Sequence, residues 1–221
     1  MHGRLKKSIT VLHIKYSVTE LFDNELTILD SGLPFLPRLG MRMQLPAEYD
    51  KITYFGRGPW ENYQDRKTSA FIDLYTTTTG DMYVPYIRPQ ENGHRMDVQW
   101  VSLLNKGGNG FMVASETPFG FNALNNTIED FDGGALQKSK SIDPAIKNIV
   151  YRHTNDIVPR ELVELNIDYK QTGVGGDNSW GMMPHSEYLL NTVDGGYKYS
   201  VVFIPVYGKK PVVDTDFAVQ R

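Results

Sequence analysis

Val98-Gln99-Trp100-Val101-Ser102-Leu103-Leu104, the turn Asn105-Lys106-Gly107-Gly108-Asn109-Gly110 and then Phe111-Met112-Val113-Ala114 decide the fold. Val98, Trp100, Ser102 and Leu104 fall on alternate positions, the period at which side chains share one face of a strand. The glycines and Asn109 suit the positive-φ positions of a tight reversal, so the stretch reads as an antiparallel hairpin.

Similar segments lie on both sides. Leu12, Ile14, Tyr16 and Val18 alternate with His13, Lys15 and Ser17, giving a strand over Ile9 to Val18; Asp23-Asn24-Glu25 reads as a turn into a second strand through Leu26 and Ile28. After the irregular Leu33-Pro34-Phe35-Leu36-Pro37, a strand runs from Leu39 to Leu45, and a short one over Lys51 to Phe55 is ended by Gly56-Arg57-Gly58-Pro59. Trp60 to Ser69 has no steady period and reads as a structured loop. Ala70 to Tyr75 is a short strand bounded by four threonines. Prolines and Gly93 argue against a long helix over Asp81 to Arg95. Phe119, Phe121 and Ala123 suggest a further strand, Thr127 could cap a helix cut short by Gly133-Gly134, and Ser141 to Asn148 reads as a short helical turn. Val163, Leu165, Ile167 and Tyr169, opposite Glu164, Asn166 and Asp168, make a half-buried strand. Tyr197 to Val206 follows an Asp194-Gly195-Gly196 turn, with Val212-Val213 as a final edge. Many short strands joined by turns mean an all-β, antiparallel β-sandwich or barrel.

The 221 residues, 40% hydrophobic and 12% aromatic, suffice for a sizeable core and show no repeat or composition shift that would divide them. A net charge of −3 with scattered basic residues argues against nucleic acid as a partner. No apolar run approaches a membrane span or a signal-peptide core. The chain has no cysteine, which removes disulfides and thiolate metal sites.

Two loops carry the candidate chemistry. In Gly173-Val174-Gly175-Gly176-Asp177-Asn178-Ser179-Trp180, the glycines allow close backbone approach and the polar residues can bond back to the turn, leaving an indole at the rim as a platform for the apolar face of a sugar. The competing reading is a hairpin loop with Trp180 anchored in the core. Arg57, Glu61, Asn62, Asp65 and Arg66 could bind sugar hydroxyls or hold one another as an ion-paired rim. His94, in Glu91-Asn92-Gly93-His94-Arg95, could serve as a base or polar binder, or be an incidental turn histidine. Glu129, Asp130 and Asp132 could attract Ca²⁺, but their spacing is not that of an EF-hand. No carboxylate pair, serine elbow or zinc spacing announces catalysis.

Four ordered blocks carry a resemblance: Tyr54-Phe55-Gly56-Arg57-Gly58-Pro59-Trp60-Glu61-Asn62-Tyr63-Gln64-Asp65-Arg66, Asp81 to Tyr86, Pro89-Gln90-Glu91-Asn92-Gly93 and Gly175 to Gly181. Together, over roughly residues 12–207, they are similar to the C-terminal, small-chain-like domain of glycoside hydrolase family 2 bacterial β-galactosidases. The resemblance implies a galactose mutarotase-like supersandwich lacking its first portion, within a single domain spanning 1–221. It implies that the catalytic carboxylates lie in a separate (β/α)₈ barrel of the same parent, so this chain alone is expected to be inactive. Trp180 would then stack on the sugar at the aglycone side, with Asp177 and Asn178 holding the loop and His94 and Arg57 as secondary binders. The domain needs no cofactor of its own; Mg²⁺ or Na⁺ would belong to the parent. A homo-oligomer and either a cytoplasmic or a periplasmic bacterial location are compatible with it. The alternatives are a freestanding carbohydrate-binding or structural sandwich, and a mutarotase-like enzyme that would interconvert anomers unaided.

Overall fold

A computed structural model describes residues 21–26, 35–131, 153–178, 180–191 and 197–208. In chain order the elements are β1 (Leu21–Leu26), β2 (Phe35–Leu36), β3 (Arg38–Pro46), β4 (Lys51–Gly58), β5 (Phe71–Thr78), β6 (Arg95–Leu104), β7 (Gly110–Leu124), the one-turn helix α1 (Ile128–Phe131), β8 (Leu162–Gln171), β9 (Leu190–Asn191) and β10 (Tyr197–Val206). Every pairing is antiparallel.

The hairpin closes as its sequence implies, with Leu104 opposite Gly110 and Leu103 opposite Phe111. Phe111–Ala114 and Phe119–Ala123 are not separate strands, because both belong to the 15-residue β7. That strand is the fork of the architecture. β6 follows one side of it, while the other side pairs with β10 over Gly110–Ala114 and with β8 over Gly120–Leu124. β1 extends the first branch and β3 the second. The branches face each other through aromatic rings: Tyr169 of β8 stacks on Tyr199 of β10 at 5.5 Å between centroids. One buried cluster joins Ile52 and Tyr54, Val101 and Leu103, Phe119 and Phe121, Leu165 and Ile167, and Val201, giving an antiparallel sandwich with a continuous core.

Several expectations change. Asp23–Glu25 is not a turn; it lies inside β1, opposite Ser200 to Lys198. Gly56 does not end β4: the strand runs on to Gly58, and a Cβ at Gly56 would sit 2.6 Å from the Val98 side chain, so glycine is what lets β4 lie against β6. β5 runs through the threonines to Thr78, as β-branched residues favour. β8 is covered on both faces, with Glu164, Asn166 and Asp168 at 1%, 3% and 1% exposure, because the arginines of β3 reach over its polar face. β5 is the end of the strand order among the described residues, and Phe71, Ile72 and Leu74 on it are exposed. The readings over Ile9–Val18, Ile28, Ser141–Asn148, Asp194–Gly196 and Val212–Val213 lie outside the described residues.

Candidate functional site

The loop after β4 is built around Glu61, whose side chain is 7% exposed. One carboxylate oxygen accepts from Arg66 at 2.6 Å and from the Tyr86 hydroxyl; the other accepts from the Gly93 amide at 2.9 Å and from Tyr63. Arg66 also lies over the Tyr63 ring, 5.2 Å from its centroid. Burial raises both phenols, Tyr63 strongly, so each stays a protonated donor. Asn62 fixes the loop from beneath, donating to the Trp60 carbonyl at 2.9 Å and accepting from the Met96 amide at 2.9 Å.

Asp65 carries this loop across to the glycine loop that follows β8, accepting from the Gly175 amide at 2.7 Å. Gly173 donates to the Tyr188 carbonyl at 2.8 Å. At Gly176 a Cβ would overlap the Met182 carbonyl, so the return of the chain past this point needs glycine. The Trp180 amide donates to the Asn178 side-chain oxygen at 2.8 Å, and the His185 ring lies 2.8 Å from the Asp177 carboxylate. Asp177 raises His185 above its ordinary value. Both polar residues therefore hold the loop, and the Trp180 indole is left 93% exposed at its tip.

Between the two loops lies a cleft of about 380 Å³ whose wall includes Tyr63, Arg66, Tyr86, Glu91, Asp177 and Tyr188. All four sequence blocks meet there. Trp180 stands beyond the wall, on the loop that forms it. Sequence reasoning did not single out Tyr188 and His185, because nothing in their local pattern reports on a loop ten residues away.

His94 and Arg57 are placed elsewhere and do not line the cleft. The His94 ring is 1% exposed, stacked at 5.5 Å on Tyr63 and 3.6 Å from Asp168. Burial, then Arg38 and Arg95, hold it well below its ordinary value, so it is a neutral core side chain with no open path to a ligand. Asp168 accepts a two-pronged bond from Arg38 at 2.8 and 2.7 Å; burial pushes its carboxyl up to about 6 against that pull, and the pair is ionised at neutral pH. Arg57 bonds Asp97 and the Ala70 carbonyl, and Asp97 sits at φ 52° within an irregular part of β6. The arginine therefore braces a bulge and does not face the cleft.

Of the acidic cluster, Glu129 is bound by Arg42 at 2.6 Å, which holds its carboxyl at about 2, and Asp130, against the upward push of burial, is held at about 2 by Arg160 at 2.6 and 2.7 Å and by the Thr127 amide. Asp132 lies outside the described residues. Among those residues no three His, Asp or Glu side chains converge as a metal site, and no helix is long and apolar enough to cross a membrane.

Residues 3–203 match the protein family described as "Beta galactosidase small chain", and the chain belongs to it. It is 31% identical over 191 residues to a β-galactosidase of Priestia megaterium, covering 84% of this chain and 17% of that protein. Against a β-galactosidase of Vibrio cholerae it is 35% identical over 167 residues, covering 76% and 14%. A Streptococcus thermophilus β-galactosidase is 27% identical over 177 residues, covering 80% and 16%. The chain thus spans 14–17% of the length of these relatives, so further domains belong to proteins of this kind.

Proposed function

We propose that the chain is the accessory domain of a glycoside hydrolase family 2 β-galactosidase, and that it completes the aglycone side of an active site housed in a separate barrel. The observation that carries this reading is the 93% exposed indole of Trp180 on a loop fixed by Asn178, Asp177 and Asp65. Trp60 at 74% and Tyr207 at 83% are exposed too, and what sets Trp180 apart is the glycine loop whose polar side chains hold it at the rim of the cleft. A sugar offers C–H groups to the ring and hydroxyls to the polar rim. The domain orients the acceptor or leaving sugar, and the glycosyl-transfer chemistry belongs to the barrel.

The test is Trp180→Ala in the complete enzyme that carries this chain. The expected result is a loss of about 1 to 3 kcal/mol in binding of the second sugar. It would appear as a raised KM for lactose and weaker transfer to glucose, with hydrolysis of an activated aryl galactoside little changed. Unaltered lactose kinetics and acceptor use would refute the reading. Sugar binding or anomer interconversion by this chain alone, lost in Trp180→Ala, would favour a freestanding module or a mutarotase-like enzyme instead.

A further inference from the structure

A second hollow, of about 290 Å³, is walled by β7, β8 and the Pro89–Asn92 segment, and none of its lining residues belongs to the glycine loop. Asn122, Glu164 and Asn166 reach it from strands, and its other polar groups come from connecting segments. Asn122 and Asn166 are direct cross-strand partners on β7 and β8, so two carboxamides sit side by side on rigid backbone.

Asn122 is already engaged, donating to the Asn92 carbonyl at 2.8 Å and accepting from Arg38 at 3.5 Å. Glu164 is engaged as well, by Arg42 at 2.6 Å and by the Ile128 amide at 2.9 Å. Asn166 differs. It is 3% exposed, yet its side-chain amide makes no hydrogen bond to any described residue, and it lines the hollow. Its amide atoms are not sealed from solvent, so donors and acceptor stay open toward the hollow.

The neighbours define the chemistry that would satisfy it. An amide offers both donors and an acceptor, which matches vicinal hydroxyls that also do both. Leu124, Ile128 and Phe131 supply apolar wall, as the C–H face of a sugar ring requires. Of the charged groups on the wall, Glu164 meets Arg42 at 2.6 Å and Glu91 meets Arg38 at 3.8 Å, and Arg88 lies on the same wall. The size is near the lower end for small-molecule sites, about 300 Å³, which suits one or two sugar rings. Gln90 and Glu91 line this hollow, the glycine-loop cleft and a third hollow of about 260 Å³, so the three adjoin along one segment.

We propose that the hollow between β7 and β8 is a separate binding site for a neutral saccharide, with the Asn166 amide bonding its hydroxyls. The site does not depend on Trp180, so it stands or falls apart from the aglycone platform.

The experiment is a titration of the ¹⁵N-labelled 221-residue chain with galactose and with lactose. The Asn166 side-chain amide signals, identified by their loss in Asn166→Ala, should shift saturably in both the unmodified chain and Trp180→Ala. Followed through the Asn122 amide, Asn166→Ala should weaken binding about tenfold, the effect of losing a hydrogen bond. Ile128→Trp, which narrows the hollow and removes no polar side chain, should abolish binding while the other sheet signals keep their dispersion. The proposal is overturned if neither sugar moves the Asn166 signals, or if every shift vanishes in Trp180→Ala.

Discussion

The loop after β4 and the glycine loop after β8 wall the same cleft by opposite means. In the first, a single carboxylate gathers an arginine, two phenols and a backbone amide into one bonded centre, while Trp60 at the start of the loop stays 74% exposed. In the second, a few bonds from Asp65, Asp177 and Asn178 hold a loop whose largest side chain is turned outward. One wall is stabilised by its own contacts, and the other keeps its surface for something else. The contrast shows why a dense polar sequence need not be a binding site: polar groups that satisfy one another have little left for a ligand.

The contrast can be broken most strongly at Glu61. Glu61→Ala should lower unfolding free energy by about 3 kcal/mol, since it strands the Gly93 amide and the Arg66 and Tyr86 donors around a buried position. Glu61→Gln, which keeps an acceptor, should cost about 1 kcal/mol; urea midpoints at unchanged slope would register both. Next comes Asp65→Ala, which frees the Gly175 amide and should cost about 1 kcal/mol while making the amides of 174–178 exchange faster with solvent. If both loops melted together, their division into self-sufficient and outward-facing walls would fail. Trp180→Ala should change stability by less than about 0.5 kcal/mol, because the indole buries almost nothing in this chain.

The smallest effect is on pH. Asp177 raises His185, so the pairing favours the folded loop below the ordinary histidine value and loses that contribution as pH rises through the raised one. An NMR titration of His185 should show the raised midpoint, returning to the ordinary range in Asp177→Asn. A midpoint unaffected by that change would mean the loop is not tied there.

The strands were legible where apolar residues alternate. Val98–Ala114 and Tyr197–Val206 do form strands, yet in β6 the pairing slips between Val98 and Trp100, so the core takes Val101 and Leu103 and not the Trp100 and Leu104 positions that alternate with Val98. Reading β8 by the same rule made it half-buried, and failed because Arg38 and Arg42 cover its polar face from a strand more than 120 residues away. The threonines read as a boundary of β5, yet their β-branched side chains continue it. At the site, the glycine loop and the outward indole were visible because Gly, Asp and Asn have local consequences. His94 and Arg57 were not separable from ligand-facing residues by sequence, since both are decided by long-range burial and pairing. Asn166 gave no signal at all: a lone asparagine in an alternating strand looks the same whether or not its amide finds a partner.

The end position of β5 among the described residues has a consequence for the chain in solution on its own. Phe71, Ile72 and Leu74 lie on the end strand among the described residues, and an apolar end strand is a template from which one molecule recruits the next. Crowding alone should then drive end-to-end stacking of copies, and a lysine in place of Leu74 should keep them apart by setting like charges against each other.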